Sequence, residues 1–310
     1  MNLVIFVDNA ETYANALRPG FPDLVIHAAP TEERLGTFVE DMDILLAFRI
    51  SDSMLRKASK LKWIQSLATG VDYITSNPSL SPEVLITSTR GIHGPQVSEM
   101  AFLLMLSLSR NFPKMACNQC SATWERWPGK LLYNKNVGIL GLGVIGREIA
   151  RKCKAFGMTV YGIDIIEQDY ESVDHFFTPQ EILRVVKDID YFITVAPSTP
   201  QTYHIIDKDV LSAMKSSAFF INIGRGELVD DDALIEALNT EKIAGAALDA
   251  FVREPLPSEH PFWKVKNLII TPHIGGASDT YVEQALPIFE ENLRRFLKGE
   301  RKDLINLVST

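Results

Sequence analysis

Short apolar runs alternate with segments of helical periodicity over the first third of the chain. Residues 52–58 are one of these helical segments. We expect strands at residues 3–7, 24–27, 44–48, 63–66 and 84–87. Because strands that alternate with helices form a parallel sheet covered on both faces, this part of the chain predicts an α/β domain.

A second alternation begins at residue 136 and predicts six strands with helices between them. These strands are expected at residues 136–140, 159–163, 191–195, 218–221, 244–247 and 268–270. The count is typical of a doubly wound dinucleotide-binding fold. A strongly apolar helix precedes them at 95–110 and is expected to be buried. A closing helix at 279–297 is expected to return the tail to the first domain.

A chain of 310 residues is longer than one hydrophobic core usually organises. The two alternations therefore predict an α/β protein with two doubly wound, parallel-sheet domains and a cleft between them. We expect residues 1–110 and 284–310 to form one discontinuous domain, and residues 111–283 to form the other.

Composition narrows the class of protein. Hydrophobic residues make up 46% of the chain and charged residues 23%, as in ordinary globular proteins. A net charge of −8 without any basic run argues against nucleic acid as a partner. The first residues resemble no signal peptide, and no apolar stretch is long enough to span a bilayer. We therefore expect a cytoplasmic protein with no membrane partner.

The three cysteines predict neither a disulfide framework nor a metal site. Cys117, Cys120 and Cys153 are odd in number, and the C-N-Q-C pair lacks the second pair that a zinc site needs. We expect reduced thiols and no bound metal.

A glycine motif follows the first strand of the second alternation. Gly141, Gly143 and Gly146 form G-x-G-x-x-G where this strand gives way to a helix. The first glycine permits a tight turn, the second permits close approach of a pyrophosphate, and the third allows the helix to pack on the strand. The N–H groups of Val144 and Ile145 are then expected to face the phosphates.

An acidic residue ends the next predicted strand. Asp164 stands 18 residues after Gly146, where a carboxylate accepts hydrogen bonds from the ribose hydroxyls of a dinucleotide. Its charge would repel a 2′-phosphate, so NAD is favoured over NADP. A fold that binds S-adenosylmethionine has a similar loop and acidic strand end, and these two features alone leave that alternative open.

Three later segments carry a resemblance to a known family. They are INIGRGELVDDDAL around Arg225, ALDAFVREPLP around Glu254 and TPHIGGAS around His273. The chain resembles the D-isomer-specific 2-hydroxyacid dehydrogenases, which include glyoxylate/hydroxypyruvate reductases, D-lactate dehydrogenases and 3-phosphoglycerate dehydrogenase. The likeness runs almost the full length and is densest over residues 138–278. It implies a flavodoxin-like substrate domain, a Rossmann NAD-binding domain, and hydride transfer between NAD(H) and a small 2-keto or D-2-hydroxy acid.

The resemblance assigns catalytic roles that suit the chemistry of each side chain. Arg225 offers a rigid fork of donors to the substrate carboxylate and the carbonyl oxygen to be reduced. His273 donates the proton to that oxygen. Glu254, bonded to the other ring nitrogen, orients the ring and stabilises the imidazolium. A methyltransferase would not need these three residues together.

Further contacts follow from the same resemblance. Asp249 matches the aspartate that bonds the nicotinamide carboxamide, and three strand-end residues match positions that line the cofactor. These residues are Pro197, Ile223 and Gly224.

In the first domain, the segment SLATGVDYI resembles a carboxylate-binding loop in which the N–H groups of Thr69 and Gly70 face the substrate. Arg49, Arg90 and His93 lie where relatives have residues at the edge of the cleft. The last two depart from the family pattern and leave the identity of the substrate open.

The W-x-x-W of Trp124 and Trp127 is similar to a pair in hydroxypyruvate reductases, in which one tryptophan reaches across a homodimer interface. Burial of the pair within its own subunit is the alternative. This pair, together with a length that leaves no room for an extra regulatory domain, makes glyoxylate and hydroxypyruvate the leading substrates. Two alternatives are a dinucleotide-sensing, non-enzymatic corepressor-like protein and formate dehydrogenase, whose sequences carry glutamine where Glu254 stands.

Overall fold

The chain folds into two compact units in a computed structural model that describes residues 1–308. The first unit contains residues 1–92 and the segment from Ser278 onward, and the second contains His93–Ala277. Residues 309 and 310, which the sequence assigned to the first domain, lie outside the described residues.

Five parallel strands form the sheet of the first unit, in the order β2-β1-β3-β4-β5. They are β1 (Asn2–Phe6), β2 (Val25–Ala28), β3 (Ile44–Ala47), β4 (Trp63–Ser66) and β5 (Leu85–Ser88). This is the flavodoxin-like order. Strands β3 and β4 are buried at every position. This explains the continuous apolar run ILLA of β3, whereas β4 also buries Gln65 and Ser66.

Seven parallel strands form the sheet of the second unit, in the order β12-β11-β10-β9-β6-β7-β8. They are β6 (Asn136–Leu140), β7 (Thr159–Ile163), β8 (His175–Phe177), β9 (Tyr191–Thr194), β10 (Phe219–Asn222), β11 (Gly245–Leu248) and β12 (Leu268–Ile270). Counted from the β8 edge, the first six strands have the order β8-β7-β6-β9-β10-β11, which is that of the doubly wound dinucleotide-binding fold. The sequence predicted six strands, and the one it missed is β8. This edge strand has three residues and no buried position, so it leaves no apolar run in the sequence.

Helices cover the sheets of both units. Within residues 1–308 they are α1 (Ala10–Leu17), α2 (Glu32–Gly36), α3 (Asp52–Leu55), α4 (Asp72–Thr75), α5 (Gly94–Arg110), α6 (Phe112–Cys120), α7 (Val144–Ala155), α8 (Ile182–Val185), α9 (Lys208–Ala213), α10 (Asp231–Asn239) and α11 (Tyr281–Lys298). None of these helices is long and apolar enough to cross a membrane.

The apolar helix α5 belongs to the second unit, which moves the domain boundary from the expected position after residue 110 to Ile92. Its buried side chains, among them Ala101 and Met105, join the core that also contains Val137 of β6 and Ile149 of α7. The other boundary falls at Ala277 instead of residue 283. The helix joins the second unit because its apolar side chains are buried against α7. The periodicity of the helix shows that it has an apolar face but not which element that face packs on.

The closing helix α11 returns the chain to the first unit. Phe289 and Phe296 pack on Trp63 of β4, and their ring centroids lie 5.5 and 5.0 Å from that of Trp63. The fully buried amide of Asn292 donates to Gln65 Oε1 on β4 at 3.0 Å. Its oxygen accepts from the Ile305 N–H at 2.6 Å, so one polar side chain ties the helix, the sheet and the tail together.

Candidate active site

The glycine loop of the second unit is shaped by two different requirements. Gly141 has a φ of +98°, which favours glycine. A Cβ on Gly146 would lie 1.9 Å from the Gly141 carbonyl oxygen, so helix α7 can approach the loop only without a side chain there. A Cβ on Gly143, by contrast, would meet no heavy atom of the described chain within 4 Å. The second glycine is therefore not needed for packing and borders open space.

Helix α7 begins at this open face. Gly143 is its N-cap, and no side chain of residues 1–308 caps the helix. The first N–H groups of a helix lack intrahelical partners and carry a partial positive charge, so they bind anions well. Val144 is exposed and Ile145 half-buried. The open cradle above Gly143 and these N–H groups fit the pyrophosphate of a dinucleotide.

Asp164 follows β7 and holds the glycine loop. One carboxylate oxygen accepts from the Leu142 N–H at 2.6 Å, and the other accepts from the N–H groups of Ile165 and Ile166 at 2.7 and 3.2 Å. A carboxylate has about four acceptor positions, so roughly one is left for a ligand. The sequence assigned this residue to ribose binding, with a turn cap as the alternative, and did not foresee its hydrogen bond to the glycine loop.

The remaining predicted cofactor residues follow strands whose carboxyl ends share one edge of the sheet. Pro197 is exposed after β9, while Ile223 and Gly224 are half-buried and buried after β10. A Cβ on Gly224 would lie 3.1 Å from the Ala196 carbonyl oxygen, so these two strand ends are close together. Asp249, after β11, is 2% exposed.

His273 and Glu254 are joined by a short side-chain contact, which is an ion pair when the imidazole is protonated. The Nδ1 atom of His273 lies 2.7 and 2.8 Å from the two oxygens of Glu254. Burial raises the pKa of Glu254, but the hydrogen bonds from His273 and the Phe251 N–H and the nearby charge of Arg225 outweigh it, so this pKa lies below its usual value. The carboxylate is therefore ionised near neutral pH, and Nε2 is the ring atom left for proton transfer.

Arg225 is positioned by a buried polar residue that the sequence analysis missed. Asn222 ends β10 and donates to the Arg225 carbonyl at 2.8 Å. The Asn222 oxygen accepts from the Gly224 N–H at 3.1 Å and the Thr194 hydroxyl at 2.8 Å. Arg225 is half-buried, and its Nη1 donates to the Gly224 carbonyl at 2.9 Å. The sequence offered one signal for Asn222: it follows three apolar residues at the end of a predicted strand.

The structure places His93 within the electrostatic influence of Arg225. His93 is 6% exposed and precedes α5. Burial, reinforced by the Arg225 charge, lowers the pKa of His93 to about 4, so this imidazole is neutral near pH 7. Arg49 and Arg90 are exposed in the first unit, where the Arg90 carbonyl accepts from Asn306 at 2.8 Å.

In the first unit, the loop of residues 67–70 follows β4 and contains both predicted carboxylate-binding positions. Thr89 and Tyr281 donate hydrogen bonds to the Leu67 carbonyl from the end of β5 and from α11. Burial raises the pKa of Tyr281 to about 12, so its hydroxyl stays a donor across the physiological range. The loop is thus held by side chains far apart in the sequence.

Comparison with known proteins decides the family. The sequence profile described as "D-isomer specific 2-hydroxyacid dehydrogenase, NAD binding domain" matches residues 102–275, more than half of the chain. The chain belongs to this family. Among curated relatives, it is 33% identical to the D-3-phosphoglycerate dehydrogenase of Methanocaldococcus jannaschii over 89% of this chain and 54% of that protein. It is also 33% identical to the glyoxylate reductase of Pyrococcus horikoshii over 84% of this chain and 81% of that protein.

Solved structures agree with this assignment. A D-isomer specific 2-hydroxyacid dehydrogenase family protein from Aeromonas salmonicida superposes with a TM-score of 0.90 at 30% identity, covering 99% of this chain and 98% of that chain. A family member from Xanthobacter autotrophicus, solved with NADPH and MES, has a TM-score of 0.83 at 26% identity, with the same coverage.

The resemblance inferred from the sequence is therefore confirmed, as are the two-domain fold class and the expectation of an enzyme. This dehydrogenase is an NAD(P)-dependent oxidoreductase of the 2-hydroxyacid class. The comparisons give no support to a corepressor-like, non-enzymatic protein. Although the chain spans about half of the phosphoglycerate dehydrogenase, it spans most of the glyoxylate reductase.

Gly143 and Gly146 should respond differently to substitution. In Gly143→Ala the new Cβ enters open space at a φ of −66°, so we expect unchanged thermal unfolding and roughly tenfold or more weaker NADH binding. In Gly146→Ala the Cβ meets backbone, and we expect a loss of about 1–3 kcal/mol in the free energy of unfolding. NADH fluorescence titration and thermal unfolding measure both effects. Wild-type NADH affinity in Gly143→Ala would contradict the assigned cradle.

Proposed function

We propose that this dehydrogenase reduces a small 2-keto acid with NADH, and that glyoxylate and hydroxypyruvate are its leading substrates. The observation that carries the proposal is the ion pair between His273 and Glu254, in the same unit as Arg225 and the glycine loop. Similarity to enzymes named glyoxylate reductase supports the substrate class.

Arg225 binds and polarises the substrate in this proposal. Its planar guanidinium donates to a carboxylate and to the adjacent carbonyl oxygen, where negative charge develops during reduction. Asn222 holds the backbone on which this side chain is placed. We retain the backbone N–H groups of Thr69 and Gly70 as the predicted donors to the carboxylate from the first unit.

His273 supplies the proton. The reduced nicotinamide, when bound, provides the hydride that adds to the keto carbon. His273 then gives its Nε2 proton to the carbonyl oxygen, and the ionised Glu254 stabilises the imidazolium beforehand. In the opposite direction the neutral imidazole accepts the proton of the hydroxy acid.

A substrate panel tests the proposed reaction. NADH oxidation, followed by absorbance, should be fastest with glyoxylate or hydroxypyruvate among small 2-keto acids. In His273→Gln, kcat should fall by roughly 10²- to 10⁴-fold because general acid catalysis is lost, while NADH affinity changes little. The proposal is wrong if no 2-keto acid is reduced by the wild type, or if His273→Gln keeps the wild-type rate.

The rate of reduction should depend on pH through the ion pair. Reduction needs the imidazolium, so kcat/KM should be at its maximum at low pH and should fall as pH rises. Glu254→Gln removes the charge that favours the imidazolium, so this descending limb should move to lower pH. The matched control is Glu259→Gln, an exposed carboxylate in the same segment. A limb that stays in place or moves upward in Glu254→Gln would show that the pair does not control proton donation.

Cofactor choice is assigned to Asp164, whose charge opposes a 2′-phosphate. The residues that follow it, Ile165 and Ile166, are exposed and offer no cation in its place. We expect kcat/KM to be higher with NADH than with NADPH. In Asp164→Ser the ratio of kcat/KM with NADH to kcat/KM with NADPH should fall by roughly tenfold or more, although the loop also loses hydrogen bonds. Preference for NADPH in the wild type would overturn this assignment.

The expected cytoplasmic homodimer remains a prediction. Trp127 donates to the Arg110 carbonyl at 3.2 Å and lies under the Lys114 ammonium, so it is held by its own subunit. Trp124 is 93% exposed and is therefore the tryptophan that fits an interface with a second copy. Light scattering on the wild type and Trp124→Ser measures this association.

A further inference from the structure

The buried carboxylate of Asp249 binds a single turn of the chain. Its Oδ1 accepts from the Thr271 hydroxyl at 2.6 Å and from the Ile274 N–H at 3.1 Å. Its Oδ2 accepts from the Gly275 N–H at 2.8 Å. Three of about four acceptor positions are thus used within the protein, and roughly one remains for a ligand.

That turn carries the proton donor in an unusual backbone conformation. His273 has a φ of +53°, in the left-handed region that side-chain-bearing residues rarely adopt. Its N–H donates to the Thr271 carbonyl at 3.0 Å. Residues keep such a conformation only where the surrounding structure enforces it.

The turn is also confined by packing. A Cβ on Gly275 would lie 2.8 Å from Asp249 Oδ2 and 3.3 Å from the Met100 Cγ of helix α5. A Cβ on Gly276 would lie 3.4 Å from the His93 ring. The turn therefore has little room to adopt another path.

We propose that Asp249 is a positioning residue, whose carboxylate holds the turn of residues 271–275 so that His273 meets Glu254. This role is additional to the cofactor contact that the family resemblance implies for Asp249. It rests on the proposed function, in which His273 is the proton donor. The charged and titratable groups around the turn are Asp249 itself, Glu254, Arg225 and His93.

Two variants disturb the turn and leave all of these charges in place. Thr271→Val removes one donor to Asp249 with little change of shape, and Gly275→Ala pushes a methyl group against the carboxylate. Because His273 loses its alignment with Glu254, kcat should fall by roughly 10- to 100-fold, and the descending pH limb of reduction should move lower. NADH affinity should stay within about twofold in Thr271→Val, whose carboxylate is intact.

Combining Thr271→Val with Glu254→Gln tests whether the turn acts through the contact between His273 and Glu254. If the turn acts through the ion pair, Thr271→Val should move the pH limb of the wild type but not the limb of Glu254→Gln. The control is Asp190→Asn, at the opposite end of the same sheet, where the carboxylate accepts from the Asn136 N–H at 3.0 Å. This variant should lower thermal stability and leave the pH limb unchanged.

A second readout does not depend on turnover. In the cofactor-free protein, the imidazole NMR signals of His273, assigned by their loss in His273→Gln, report its contact with Glu254. At one fixed pH their chemical shifts should differ from those of the wild type in Thr271→Val and Gly275→Ala. Folded variants with wild-type His273 chemical shifts and a wild-type pH limb would overturn the positioning role. If the wild type reduces no 2-keto acid, the proposed function fails, and the NMR comparison still decides whether Asp249 sets the His273–Glu254 contact.

Discussion

Where parallel strands end, backbone N–H and C=O groups lose their ladder partners, and buried ones must find others. The second unit meets this constraint with one polar side chain after or at the end of each of three strands. Asp164 holds the glycine loop after β6, and Asn222 holds the turn that leads from β10 to Arg225. Asp249 holds the turn that carries His273. The glycine loop and the turn of His273 are thus each anchored from a neighbouring strand, and the turn of Arg225 is anchored from the end of its own strand.

The charges of this edge are arranged so that each group has a defined protonation state. Glu254 is ionised because hydrogen bonds and a nearby cation outweigh its burial. His93, buried beside Arg225, is neutral for the opposite reason, since burial and a like charge both disfavour the imidazolium. Two histidines of one unit thus meet different surroundings, since His273 contacts a carboxylate and His93 is buried near a cation.

The first unit shows the same dependence on distant segments. Its loop of residues 67–70 is held by Thr89 and Tyr281, and its closing helix is fixed to the sheet by Asn292. A buried amide that satisfies a side chain on β4 and the backbone of the tail specifies one arrangement, because any other would leave polar groups unpaired.

The sequence by itself determined the α/β class, eleven of the twelve described strands, the glycine motif and the three proposed catalytic side chains. These features leave strong local signals, since a buried parallel strand is an apolar run and a glycine turn needs glycine at fixed spacing. The short edge strand β8 leaves no such run. Only the tertiary structure decided that helix α5 belongs to the second unit, because the core it joins is built from residues 137–150 and beyond. It also decided that Asp164 and Asp249 anchor loops, since their hydrogen-bond partners lie about 20 residues away in the chain and meet them only when parallel strands place their carboxyl ends side by side.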